Sequence, residues 1–139
     1  MNEIRFETGL KSYNLNGAVE IAFNPTDVEF AQKVYSAFDA LDKKQENYKE
    51  EVRKIAGTSK IFDFARDRDA EMRAMINDLF GVPVCDAVFG KMNVYAMADG
   101  LPVWCNLMLA VMDELDSGFA REQKMTSARV QKYTSKYHK

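Results

Sequence analysis

Apolar and polar residues alternate with a period of two over the first 24 positions, and the repeat then lengthens to that of a helix. Ile4 and Phe6 alternate with Arg5 and Glu7, and Tyr13 and Leu15 alternate with Asn14 and Asn16. Val19, Ile21 and Phe23 alternate with Glu20 and the small Ala22. This is the pattern of strands with one buried face. Gly9 breaks the first run, and Asn16-Gly17 suits a type I′ turn, which needs positive φ at both central residues. These positions predict a β-hairpin or a three-stranded meander. So small a sheet requires a helix or a partner chain under its apolar face.

Thr26 with Glu29 fits a capping box, and Asp27 favours the positive end of a helix dipole. The helix that starts there is predicted to reach Ala56 and stop at Gly57. Its stripe is Val28, Ala31, Val34, Tyr35, Phe38 and Leu41, resumed by Tyr48, Val52 and Ile55. Six polar residues, Asp42 to Asn47, interrupt it. At about 1.5 Å per residue such a helix is ~45 Å long, so its middle is expected to project into solvent or bend, either as an exposed arm for a partner or, the simpler reading, as a solvated face. A second helix is predicted from Thr58-Ser59 to Phe80-Gly81, with Ile61, Phe62, Phe64 and Ala65, then Met72, Met75, Ile76, Leu79 and Phe80, facing a core. Pro83 opens a short helix, Val84 to Phe89, closed by Gly90. Residues 93–98 are read as a further turn or two of helix ended by Asp99-Gly100. Leu101-Pro102 then opens the most apolar helix, with Val103, Trp104, Leu107, Met108, Val111, Met112 and Leu115, weakened at Gly118. The fold class is therefore α+β, an N-terminal hairpin or meander packed on four or five mostly long helices. Residues 1–120 form one domain and residues 121–139 a basic tail, either an extended helix or partly disordered.

A chain of 139 residues with 47% hydrophobic and 29% charged residues is sized and composed as one soluble domain. The net charge is −2, too small to attract nucleic acid or an anionic membrane globally. Its distribution is uneven. Residues 61–118 hold ten acids and four bases, whereas residues 119–139 hold one acid and six bases. The N-terminus MNEIRFETG lacks the apolar core of a signal peptide. The longest apolar run, Leu107 to Met112, is too short to span a bilayer. Two cysteines, Cys85 and Cys105, make no disulfide framework, so free thiols in a reducing cytoplasm are expected.

Candidate chemistry is sparse. The one histidine, His138, is next to last, where it is not held in place as a general base must be. Cys85 and Cys105 lack zinc-ligand spacing and a histidine partner, and read as small buried hydrophobes. Asp63 and Asp67 sit among Arg66, Arg68 and Arg73, which would neutralise a carboxylate pair, so a salt-bridged surface is the simpler reading. No glycine pattern fits a nucleotide loop. The chain is therefore read as a non-enzyme with no catalytic, metal or cofactor residues. The basic tail, with Lys124, Arg129, Lys132, Lys136 and Lys139 around Tyr133 and Tyr137, is able to contact phosphates, but about five contacts give only weak, salt-sensitive binding. A docking tail for an acidic partner is more economical, and nucleic acid is not the expected partner.

The pattern Leu79-Phe80-Gly81, Val88-Phe89-Gly90-Lys91-Met92-Asn93, and the helix with Cys105 and Leu109, resembles small proteins encoded in tail-gene clusters of phages and prophages of Gram-positive bacteria. Several of these are treated as tail assembly chaperones. The Asn16-Gly17 hairpin, the long charged helix and the basic C-terminus extend the resemblance over most of the chain. Val82-Pro83-Val84 and a longer segment before Tyr13 depart from it. The resemblance implies a helper in the host cytoplasm that coats a tape-measure protein, or binds other tail proteins, and self-associates. It places the contact surface at Phe80, Val84, Phe89, Met92, Tyr95 and Met97, where core packing is the simpler explanation of any single residue. The other readings are a small nucleic-acid-binding or regulatory protein using the tail, and a structural tail or head–tail joining subunit.

Overall fold

The hairpin forms where the alternation predicts it. In the computed structural model, which describes residues 1–125 and 129–132, β1 (Lys11–Leu15) pairs antiparallel with β2 (Val19–Phe23). Asn16 and Gly17 have φ of 54° and 74°, and the Ala18 N–H donates to the Leu15 carbonyl at 3.0 Å. Tyr13 lies opposite Ile21 and Leu15 opposite Val19, so their side chains share one face. Ring stacking carries that face onto the first helix: Tyr13 on Phe23 at 4.4 Å, then Phe23 on Phe30 at 4.7 Å.

Among the described residues no third strand joins this hairpin. Residues 1–10 carry no regular secondary structure, and Ile4 and Phe6 are exposed. Asn24 Nδ2 donates to the Thr8 carbonyl at 2.8 Å, and Gly9 turns there with φ of 74°. The chain is thereby led past the end of β2 rather than alongside a strand.

Helix α1 (Val28–Val52) is capped by Asp27, whose carboxylate accepts from the Glu29 N–H, and not by Thr26. Thr26 instead donates both its N–H and its hydroxyl to Asn24 Oδ1. The helix ends four residues short of Ala56, closing with bonds from Lys54 to Glu51 and from Ile55 to Val52. Gly57, with φ of 98°, caps the start of α2 (Thr58–Phe80). With 25 residues, α1 is about 37 Å long. Four residues of its polar middle, Asp42, Lys43, Glu46 and Asn47, are exposed and form a solvated face, while the other two reach neighbouring helices. Gln45 accepts a hydrogen bond from Trp104 Nε1 at 2.9 Å, and Lys44 pairs with Glu71 at 3.2 Å. Both residues face neighbouring helices.

Helix α2 closes on Gly81 in the left-handed conformation. Next comes α3 (Val84–Phe89), between Pro83 and Gly90. Residues 93–98 are not helical. A turn leads into a second hairpin, β3 (Met97–Ala98) with β4 (Leu101–Pro102), around Asp99-Gly100 at φ of 54° and 80°. Helix α4 (Val103–Lys124) then runs without a break past residue 120. The core joins Val34 and Leu41 of α1, Met72 and Ile76 of α2, Val84 and Cys85 of α3, and Trp104 and Met108 of α4. Among the described residues no helix is long and apolar enough to cross a membrane.

One polar row on α2 fastens the second half of the chain. Asp69, Arg73 and Asn77 are spaced by four, so they share a helix face. Arg73 is held at Nε by Asp69 at 2.9 Å, and it donates to Asp86 of α3 at 2.9 Å and to the Met92 carbonyl at 2.6 Å. The other oxygen of Asp69 accepts from the Val94 N–H at 2.7 Å. Asn77 accepts from the Cys85 N–H, one of the open donors at the start of α3. Asn93 reaches back to the Ala65 carbonyl at 3.2 Å. The loop so held supplies the carbonyls of Ala96 and Val94 to the Val103 and Trp104 N–H groups, at 2.7 and 3.2 Å, and so caps α4. The side chains of Arg73 and Asp69 are 13% and 18% exposed, dry enough for the pair to matter. Replacing Arg73 with Met should cost on the order of 3 kcal/mol, because Asp69 loses its charge partner. Urea unfolding measures that loss, and amide exchange at Val94 and Trp104 should accelerate with it.

Gly118 has a different role from the weak point expected of it. A Cβ there would lie 2.4 Å from Pro25 Cβ, so the missing side chain lets α4 touch the turn before α1. Alanine normally favours a helix over glycine by about 1 kcal/mol. Here Gly118→Ala should instead destabilise by about 1–3 kcal/mol through overpacking, read as a lower urea midpoint.

Candidate functional site

Two concavities compete as the working surface. The first, of about 300 Å³, lies between α1 and α2 and is lined by Lys44, Asn47, Tyr48, Glu51, Phe64, Arg68 and Glu71. Its charges are already committed to one another: Glu71 holds both Lys44 and Arg68, at 3.2 and 2.9 Å. Arg68 lies over the Phe64 ring at 5.0 Å. Tyr48 stacks on Phe64 at 5.6 Å and on Tyr95 at 4.2 Å. Burial pushes the Tyr95 phenol up to about 12. This is a packing cluster whose charges pair with one another, although Arg68 Nε and the Tyr95 hydroxyl are buried without a hydrogen-bond partner among the described residues.

The second is an apolar groove of about 530 Å³ between the tip of the first hairpin, the end of α3 and the start of α4. Leu15, Val88, Phe89, Met92, Leu107 and Ala110 line it, with Asn14, Asn16 and Asn106 among the polar lining residues. Asn106 donates to the Ala98 carbonyl at 3.0 Å, fixing the second hairpin as part of the wall. A smaller hollow of about 130 Å³ continues the surface along β1, sharing Asn14, Leu15 and Ala110 and adding Tyr13 and Glu114. Burial and the neighbouring Glu114 carboxylate raise the Tyr13 phenol above its ordinary value.

The six residues predicted to form one contact surface are not on one face. Phe89 and Met92 line the groove. Met97 is 64% exposed on β3, next to the groove residue Ala98. Val84 is fully buried. Phe80 is half-buried, its ring 6.4 Å from that of Phe30, and Tyr95 belongs to the stack with Tyr48. The rest of the groove, Leu15, Val103 and Ala110 above all, was missed. The alternation at Leu15 and the small Ala110 within an apolar helix were the available signals. Of the basic residues, Lys124 ends α4 and is exposed, and Arg129 and Lys132 fall in the exposed helical residues 129–132. Lys136 and Lys139, with Tyr133, Tyr137 and His138, lie outside the described residues.

Cys85 is fully buried and Cys105 nearly so, and both are free thiols. Burial pushes Cys85 up to about 11 and raises Cys105. The reactive thiolate is thus suppressed at neutral pH. Among the described residues no three potential metal ligands cluster. The folded pKa of Cys85 lies above the unfolded value of 9.0, so its stabilising contribution is complete below pH 9 and is lost as pH rises toward 11. Native protein at pH 8 should therefore react with Ellman reagent far more slowly than urea-unfolded protein. Replacing Cys85 with Ser should flatten the fall in stability above pH 9, measured by unfolding at stepped pH.

Comparison with known proteins adds one relationship. No curated protein and no solved structure matches the chain. Residues 17–139 match the model of a family described as a family of unknown function, DUF6673, which covers everything from the hairpin turn onward, including the α2 row and most of the groove wall. The chain belongs to the DUF6673 family.

Proposed function

We propose that this is a non-enzymatic, phage or prophage tail-assembly chaperone-like protein, acting in the bacterial cytoplasm by protein–protein contact with a tape-measure protein. The observation that carries the protein-contact part is the apolar groove with Phe89 and Met92 in its wall. Binding a client during assembly needs an apolar surface that can be covered and released, and no reacting group. Met92, 51% exposed, is flexible enough to adapt to varied client side chains. The tail-assembly part rests on the resemblance of the Leu79-Phe80-Gly81 and Phe89-Gly90-Lys91-Met92-Asn93 pattern to proteins of tail-gene clusters.

Co-expression with the tape-measure protein of the same phage or prophage tests both parts. The tagged chain should capture it, and Met92→Asp should weaken capture at least about tenfold, equivalent to ~1.4 kcal/mol, without changing the circular dichroism. Removing residues 125–139 should leave capture intact. If that truncation abolishes DNA binding while no client is captured, the basic-tail reading replaces this one. Stoichiometric presence in purified mature particles would show a structural subunit instead.

A further inference from the structure

The amino-terminal segment carries a strand-like set of apolar side chains that its own chain leaves uncovered. Ile4, Phe6 and Leu10 are 87%, 79% and 62% exposed. In an extended chain Ile4, Phe6 and Thr8 fall on one side and Arg5 and Glu7 on the other, and the turn at Gly9, with φ of 74°, ends that run before Leu10. Residues 4–8 extended span about 16 Å at 3.3 Å per residue, enough to run beside the five residues of β1.

The complementary surface lies elsewhere on the same molecule. Among the described residues β1 pairs with β2 alone, so its outer edge presents unpaired backbone groups. The groove and its continuation lie along β1 from Tyr13 to Asn16, over the wall formed by α4. An open strand edge beside an apolar wall is a template for an added strand.

We propose that the arm of one chain seats as an added strand on the β1 edge of a second copy, reciprocally, giving a two-fold dimer in which Ile4 and Phe6 enter the groove of the other copy. The arm is directed away from its own groove. Asn24 holds the Thr8 carbonyl at 2.8 Å, beyond Phe23, the last residue of β2, whereas the groove lies toward the hairpin tip. Seating at home would require a reversal at Gly9-Leu10 and loss of that bond. A second copy satisfies arm and edge together, because every copy carries both and a two-fold operator matches them at once. A partner of another kind would leave the arm exposed. The dimer forms, or fails to form, with the purified chain alone, independently of any tail protein.

Light scattering on the size-exclusion peak over a dilution series tests this. The wild-type chain should give about 32 kDa, twice its 15.9 kDa. Phe6→Asp changes an exposed arm residue, and Ala110→Arg fills the groove from an exposed helix position. Each should shift the peak to 15.9 kDa with unchanged circular dichroism. A dimer that survives both substitutions uses another surface and overturns the proposal. So does a wild-type monomer: one whose Tm falls with Phe6→Asp has its arm in its own groove, and one whose Tm does not change leaves the arm uncovered.

Discussion

The polar row on α2 is the constraint on which the second half of this molecule depends. Asp69, Arg73 and Asn77 each complete backbone groups that no regular ladder could satisfy: the Val94 N–H, the Met92 carbonyl and the Cys85 N–H. Buried polar groups without partners cost more than a typical hydrogen bond contributes, so the path from α3 to α4 follows these three side chains. The loop then passes the constraint onward by capping α4 with its own carbonyls. Beside this row, Met72 and Ile76 of the same helix enter the core. One helix therefore orients its neighbours through two adjacent rows, one directional and one merely close-packed.

The groove follows from this arrangement. Phe89 and Met92 end up in its wall because α3 and the following loop are fastened to α2, while the hairpin is carried on the stack of Tyr13, Phe23 and Phe30 against α1. Gly118 sets how close α4 comes to Pro25 at the opposite end. The hairpin is only two strands wide, so it covers the helices without closing over them. An apolar gap and an open strand edge remain side by side, which is why a protein-contact function and self-association through the arm both point to this place.

Local signals were legible wherever a few neighbouring residues decide the conformation. Asn16-Gly17 makes its turn, Gly81 and Gly90 end their helices, and Pro83 and Pro102 stand at helix starts. Asp99-Gly100 was read as a helix stop but makes a hairpin turn, because the same dipeptide serves both and two-residue strands are too short to show a period. Gly57 was placed at the wrong helix: a glycine with positive φ marks a junction without saying which side it closes. The charge-rich segment of α2 read as ordinary surface. Pairs at i, i+4 look alike in sequence whether solvent or a loop lies above them, so the roles of Asp69 and Arg73 were hidden.

The candidate surface shows the same division. Periodicity identifies Phe80, Val84, Phe89 and Tyr95 as apolar positions, but it cannot say which side of the core each faces. Packing separated them, burying Val84, stacking Tyr95 on Tyr48 and leaving Phe89 in an open wall. The sequence by itself determined the class of fold, the hairpin turn, most helix limits and the burial of both thiols, because these follow from local dihedral preference and from patterning along single elements. Tertiary structure alone decided that the first ten residues lack a strand partner, that Lys44 and Gln45 in the polar middle of α1 reach neighbouring helices, and that a groove opens beside β1. Those outcomes depend on which elements meet, and distant residues such as Asn24 and Thr8, or Gln45 and Trp104, declare their pairing only once the chain has folded.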